Sequence, residues 1–234
     1  MRLNRFIGEY DLSKNEVEIL DPKIIKQIRA VLRLKKDDII ILSDGKGNDA
    51  RVTLVSITTD KIIGTVIKMN QPASAQGSGV AKQVNLYLAI LKKENFELAV
   101  QKAVECGVSK IIPVITERTI KTGLNIPRLE KIILEASEQC GQNIVPSLSH
   151  IFDFKDALIN AEGEKIIFHL SEKEYAPDKN AKSISIFVGP EGGFTPNEIK
   201  LAEDSGLTFA SLGTLTLRSE TAAIIGTYRA VHNI

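Results

Sequence analysis

The rhythm of hydrophobic and polar positions changes once along this chain, near residue 83. Before that point, short stretches rich in Ile, Val and Thr alternate with turn-forming residues. Segments 3–7, 39–42, 50–57 and 61–68 read as strands. Asp44-Gly45-Lys46-Gly47-Asn48 predicts a hairpin turn between the second and third, and Thr58-Thr59-Asp60 a turn before the fourth. One helix interrupts them, from residue 22 or 23 to residue 32. Asp21 is placed to cap it, with Pro22 at its first position, and Ile25, Ile28 and Leu32 form its apolar stripe. Several strands and one helix in residues 1–69 predict a small β-barrel. Residues 70–82 are small, polar and unpatterned, and read as a linker.

From residue 83 to 234, apolar runs alternate with stretches of helical periodicity. Strands are expected at 84–91, 110–115 and 165–170, and helices at 94–106, 127–140 and 154–160. The helix from residue 94 places Phe96, Ala99, Val100, Ala103 and Val104 on one face, and Gly107 closes it. Strand-helix alternation of this kind predicts a mainly parallel sheet with helices on both faces.

Residues 186–223 organise this second part. The apolar run 184–188 ends in Gly189-Pro190-Glu191-Gly192-Gly193, a strand entering a tight loop. Thr195-Pro196-Asn197-Glu198 then carries the signature of a capped helix start, and Gly206 its end. A second strand at 208–212 meets a second loop at Gly213. Arg218-Ser219-Glu220-Thr221 leads into a last helix from about residue 222. Two strand-loop-helix units are thus expected to lie next to each other, each with a small-residue loop at the carboxyl end of its strand, where open α/β sheets hold ligands.

Composition narrows the possibilities. Hydrophobic residues make up 43% and charged residues 25% of the 234, enough for a substantial core and a solvated surface. No apolar run approaches the roughly 18 residues of a membrane span. Met1-Arg2-Leu3-Asn4-Arg5 lacks the apolar core of a secretion signal, so a cytoplasmic location is expected. Cys106 and Cys140 stand too far apart in sequence, and His150, His169 and His232 too irregularly, to predict a metal site. The net charge of +1 does not by itself point to nucleic acid, but charge clusters locally. Residues 1–36 hold nine Lys or Arg against five Asp or Glu, and Lys26, Arg29 and Arg33 share one helix face beside Arg2 and Arg5. Such a basic row suits a phosphate backbone, although a charged helix face serves solvation equally well.

Further polar groups cluster near strand ends: Lys92-Lys93-Glu94, Lys102, Glu105, Glu117-Arg118, and Glu138-Gln139 before Gly141-Gln142-Asn143. No histidine stands in a hydrolase triad context, and neither Gly-rich loop has the spacing of a nucleotide phosphate cradle.

Five segments occur in an order that identifies a resemblance: I-R-A-V-L-R-L, Q-K-A-V-E-C-G-V-S-K-I-I-P-V-I-T-E-R, E-A-S-E-Q-C-G-Q-N-I-V-P, V-G-P-E-G-G-F-T-P-N-E and S-L-G-T-L-T-L-R-S-E-T-A. Together they resemble the ribosomal RNA small subunit methyltransferase E family of the SPOUT superfamily, over nearly the whole chain. The resemblance implies a PUA-like RNA-binding barrel followed by an α/β domain with a carboxy-terminal trefoil knot, at about 165–225. It implies a homodimer with active sites at the subunit interface, and transfer of a methyl group from S-adenosylmethionine to N3 of one uridine in 16S ribosomal RNA of the small subunit. No metal is needed, because the donor's sulfonium is already activated. Ribose 2′-O-methylation of RNA, or a catalytically silent RNA-binding role, are the alternative readings.

By the same resemblance, the cofactor segments comprise Leu170; Gly189, Glu191, Gly192 and Gly193; and Leu212, Gly213, Leu217, Ser219, Thr221 and Ala222. Arg218 would stabilise charge on the uracil oxygens, and Glu191 or Glu220 would take the N3 proton or orient Arg218. Arg5, Lys26, Arg29, Arg33, Lys102, Arg118 and Gln142 are the expected contacts to RNA. Three positions depart from the family pattern: Leu215 replaces a common Arg, Gln142 ends the E-Q-C-G segment where Arg is usual, and Gln27 replaces a frequent His. Each departure bears on how RNA is held.

Overall fold

The computed structural model describes residues 3–70, 82–120, 122–170 and 173–234. Arg2, and residues 71–81 of the expected linker, lie outside them. The chain forms two compact units, one comprising Met1–Gly79 with Ser137–Val145, the other Val80–Ala136 with Pro146–Ile234.

The first unit is a five-stranded half-barrel. Its strands are β1 (Arg5–Ile7), β2 (Glu16–Ile19), β3 (Ile39–Ser43), β4 (Asp49–Ile57) and β5 (Ile62–Asn70), in the spatial order β1-β3-β4-β5-β2. The β3–β4 hairpin forms at the predicted turn because Asp44 gathers its backbone. One carboxylate oxygen accepts from the Lys46 and Asn48 amides at 2.7 and 3.0 Å, and the other from the Asn48 side chain at 2.6 Å. β2 is absent from the sequence expectation. Its Glu-Val-Glu-Ile alternates exposed and buried positions, but four residues are too few to register as a period.

Asp21 caps α1 (Pro22–Lys26), its carboxylate accepting from the Lys23 amide at 2.7 Å. The expected single helix to residue 32 is not realised. After Lys26 the chain widens into a π-helical turn, Gln27–Val31, and exits through Arg33 at φ 54°. The widened turn keeps Ile28 fully buried while Leu32 is only partly covered. Ile24 joins Ile25 and Ile28 in the core with Phe6, Ile40, Leu42 and Leu54.

The second unit is an α/β sandwich on a wholly parallel sheet. Its strands are β6 (Gln83–Ala89), β7 (Lys110–Ile115), β8 (Ser147–Leu148), β9 (Phe152–Asp153), β10 (Glu164–Phe168), β11 (Ser183–Val188) and β12 (Thr208–Ala210). They lie in the order β12-β10-β11-β6-β7-β8, with β9 also paired to β7. The helices are α2 (Lys93–Glu105), α3 (Ile126–Cys140, whose last residues from Ser137 count with the first unit), α4 (Phe154–Asn160), α5 (Pro196–Asp204) and α6 (Ser219–His232).

Strand alternation divides the side chains between two faces. Tyr87, Ile112, Ile167 and Phe187 enter a core with α4 and α5, where the Tyr87 and Phe187 rings stack at 4.4 Å. On the opposite face, α6 packs against α2, β6 and β11. Close approach there depends on Gly226, since a β-carbon at that position would collide with the Phe168 ring of β10. The nearest ring carbon would stand well inside contact distance of that β-carbon, so the ring or α6 must shift to admit a methyl group. Gly226→Ala is therefore expected to cost about 2 kcal/mol of stability, read as a lower denaturant midpoint at unchanged slope.

Several sequence expectations shift by a few residues or in arrangement. The strand expected to reach residue 212 ends at Ala210, and the one expected to reach 170 ends at Phe168. The last helix begins at Ser219 rather than near 222, because the Arg218 carbonyl already accepts from the Ala222 amide at 2.8 Å. The two loop-bearing strands are not sheet neighbours: β10 lies between β11 and β12.

Candidate functional site

The carboxyl ends of β10, β11 and β12 and the start of α6 surround a cavity of about 740 Å³, within the size range of small-molecule sites. The glycine-rich loop after β11 forms one wall. Gly189 is buried against Phe194, whose ring would stand 2.9 Å from any β-carbon there. Gly193 turns the chain at φ 69° and donates its amide to the Pro190 carbonyl at 2.8 Å. A side chain at the first would collide, and one at the second would be strained, so both positions keep bare backbone at the cavity wall.

The loop leaves through the predicted capping box of α5. The Thr195 hydroxyl accepts from the Glu198 amide at 3.3 Å, and the Glu198 carboxylate accepts from the Thr195 amide at 2.8 Å. A cap of this kind contributes about 1 kcal/mol.

The second wall is residues 211–218. The Ser211 amide donates to the Lys173 carbonyl at 2.9 Å, and Gly213 turns the chain at φ 130°. Leu212 and Leu217, both half-buried, give this wall its apolar surface, and Val188 and Ala210 add to the apolar lining. Apolar walls, backbone amides and carbonyls, and positions where only glycine fits suit a flat heterocycle with a polar, charged tail. S-adenosylmethionine fits that description.

All of the expected cofactor residues line the cavity except Thr221, which lies in the first turn of α6 between the lining residues Glu220 and Ala222. The three candidate catalytic residues line it as well. Arg218 is exposed, holds an extended backbone, and its side chain makes no hydrogen bond or ion pair with any described residue. Glu191 is exposed, and its carboxylate accepts from the Lys92 amide at 3.3 Å. Glu220 is only 7% exposed, and its Oε2 has no hydrogen-bond partner among the described residues. It lies in the first turn of α6, where the helix dipole favours an acid.

The cavity also includes residues not singled out as site residues. Lys92 and Asn95 reach it from the junction of β6 and α2, and His169, Ser211 and Thr216 from the β10 and β12 sides. The polar run Lys92-Lys93-Glu94 at a strand end was the signal for the first of these. Leu215, noted only as a departure from pattern, lies on the rim with 78% of its surface exposed.

The expected RNA contacts do not behave alike. In the first unit, Lys26 and Arg29 are exposed and line a shallow cavity of about 270 Å³ with Ile25 and Thr59. Arg33 is exposed at its strained backbone position, and Gln142 is half-buried. The Arg5 guanidinium meets Asp49 at 2.8 Å, with the two side chains 11% and 5% exposed. The Arg5 guanidinium is thus engaged within the half-barrel.

In the second unit, Lys102 pairs with Glu105 at 2.8 Å on the surface of α2. Arg118, also expected to grip RNA, instead donates to the Gly192 carbonyl at 2.6 Å and more distantly to that of Phe194 at 3.4 Å. Among the described residues, no group of three or more His, Cys, Asp or Glu is arranged to hold a metal ion, and no helix is long and apolar enough to cross a membrane.

Comparison with known proteins agrees with this geometry. Residues 80–229 match the family described as RNA methyltransferase domain, and residues 20–67 the RNA methyltransferase PUA domain. The chain is 29% identical over 233 residues to the ribosomal RNA small subunit methyltransferase E of Rickettsia conorii, covering 96% of this chain and 93% of that one. It is 37% identical over 150 residues to the enzyme of that name from Mesomycoplasma hyopneumoniae, covering 61% and 66%. Among solved structures, ribosomal RNA small subunit methyltransferase E from Neisseria gonorrhoeae bound to S-adenosyl methionine superposes with a TM-score of 0.85 at 27% identity. That superposition covers 97% of this chain and 95% of the other. A putative methyltransferase from Legionella pneumophila, in complex with the same cofactor, gives 0.81 at 27% identity and covers 97% and 96%.

Proposed function

This chain belongs to the ribosomal RNA small subunit methyltransferase E family, and on that premise we propose that it methylates N3 of a specific uridine in 16S ribosomal RNA. The observation that carries the reading is the glycine-walled cavity with Arg218 at its edge. S-adenosylmethionine, held by the 189–193 and 211–218 segments, supplies an activated methyl group.

The chain's own residues have two tasks. Backbone and leucine walls fix the donor and keep water from the reacting centre. Arg218, which no described group occupies, stabilises negative charge as it develops on the uracil oxygens during loss of the N3 proton. Glu191 and Glu220 are the candidates to accept that proton or to orient Arg218. A base inside folded RNA must also be unstacked to reach such a cavity, which calls for grip on the flanking backbone. Lys26, Arg29, Arg33, Lys102 and Gln142 supply it in this proposal.

The proposal extends to a trefoil knot at about 165–225, a homodimer, a cytoplasmic location, and domain limits of 1–69 and 83–234 around the linker. Two features support the knot. β12 lies beyond β10 in the sheet, and Glu174 forms a parallel bridge with Ser211. The homodimer is supported by Leu98 of α2 and Tyr228 of α6, large side chains left 41% and 46% exposed on helices that pack together.

The test is nucleoside mass spectrometry of 16S ribosomal RNA from a strain lacking the gene. Loss of 3-methyluridine, restored by the intact gene, is expected. Loss of a ribose-methylated nucleoside instead would assign the protein to 2′-O-methylation.

A further inference from the structure

The loop that follows β7 and the glycine-rich loop that follows β11 are tied together from both sides. Arg118 Nη1 donates to the Gly192 carbonyl at 2.6 Å and reaches the Phe194 carbonyl at 3.4 Å. The aliphatic part of the same side chain lies over Gly192, its Cδ 3.3 Å from where a β-carbon would stand. From the other side, the buried Glu198 carboxylate accepts from the Glu117 amide at 2.9 Å with one oxygen and from the Thr195 amide with the other. Arg118 is itself presented by a closed turn. The Thr119 amide donates to the Thr116 carbonyl at 3.0 Å, and the Thr116 amide to the Thr119 hydroxyl at 3.0 Å.

The glycine-rich loop needs such support. Gly192 and Gly193 have no side chains to anchor them, and Gly193 holds a positive φ. Their one backbone hydrogen bond within the loop is that from Gly193 to Pro190. Glycine backbone freed of external ties samples many conformations, so a pre-shaped cavity wall requires contacts from outside the loop.

We infer that Arg118 is a positioning residue that holds the 189–193 loop in its cofactor-taking shape and so sets affinity for S-adenosylmethionine rather than for RNA. The inference rests on reading the cavity as the cofactor site. A guanidinium suits the task because it can donate to two carbonyls from one planar group, whereas an ammonium at the end of a flexible stem is a single point charge. Charged donors to carbonyl oxygens are also the stronger kind of hydrogen bond.

The experiment compares the full-length protein with Arg118→Ala and Arg118→Lys by calorimetry with S-adenosylmethionine, filter binding to 16S ribosomal RNA, and thermal melting. Arg118→Ala is expected to weaken S-adenosylmethionine about tenfold. Arg118→Lys should recover part of that loss. RNA affinity and melting temperature should stay near those of the unsubstituted protein. A fall in RNA affinity with cofactor affinity unchanged would return Arg118 to the RNA surface and overturn the inference. Unchanged affinity for both ligands would overturn it as well. So would parallel loss of both with a lower melting temperature and no recovery by lysine, since that pattern marks general damage to the fold. If the unsubstituted protein itself fails to bind S-adenosylmethionine, the reading of the cavity falls first.

Discussion

Arg218→Ala is expected to lower methyl transfer on the order of 100-fold or more, while S-adenosylmethionine binds with near-normal affinity. The structure separates these two effects. The Arg218 side chain has no hydrogen-bond or ion-pair partner among the described residues and contributes no cap to α6. Its removal breaks no interaction that the fold uses, and alanine is compatible with its extended backbone. The melting temperature should therefore hold. The cavity walls formed by the glycine-rich loop and the leucines are equally untouched, so the donor site persists. What disappears is a positive charge at the cavity edge, needed only as charge develops on the pyrimidine. Single-turnover rates on 16S ribosomal RNA, measured beside calorimetry, read the two effects separately. Arg218→Lys should fall between, since it keeps the charge and loses the planar fork. Turnover unchanged in Arg218→Ala would remove this residue from the mechanism.

How much of this was legible beforehand depended on how local the cause was. The α5 capping box could be read from Thr195-Pro196-Asn197-Glu198 because donor and acceptor lie three residues apart. The limits of β7 and α4 followed from apolar runs and periodicity complete within each segment. The cavity loops were visible because a chain that must turn tightly or approach another group closely needs glycine there, as Gly189 and Gly193 do.

Causes distant in sequence were not legible. Arg5 is 44 residues from Asp49, and Arg118 is 74 residues from Gly192, so the first reads in sequence only as part of a basic cluster and the second only as one of a polar pair at a strand end. Lys92 and Asn95 join the cavity because the sheet places β6 beside β11, an order that periodicity does not encode. The π-helical turn at 27–31 was hidden for a different reason. Its apolar spacing fits an ordinary helix, and the departure shows only where Arg33 redirects the chain.

Glu220→Gln is expected to reduce methyl transfer by about 100-fold while making the cofactor-free protein more resistant to heat. Both effects follow from a carboxylate with 7% exposure whose Oε2 finds no partner among the described residues. A buried carboxylate oxygen left without a donor costs about 1–3 kcal/mol, whereas its position in the first turn of α6 returns only about 0.3–1 kcal/mol through the helix dipole. Replacing the charge with an amide of similar shape removes most of the penalty, so the melting temperature should rise by a few degrees. A group retained at such a cost, facing a cavity that also holds Arg218, fits a role in taking the N3 proton or orienting the guanidinium. These roles are separated by the Arg218→Ala background. If Glu220 acts only through Arg218, adding Glu220→Gln to Arg218→Ala should change the rate little. If it takes the proton itself, the second substitution should lower the rate again by a comparable factor. A Glu220→Gln protein that melts lower and turns over normally would show instead that the carboxylate is a structural cap for α6, and would leave Glu191 as the remaining candidate.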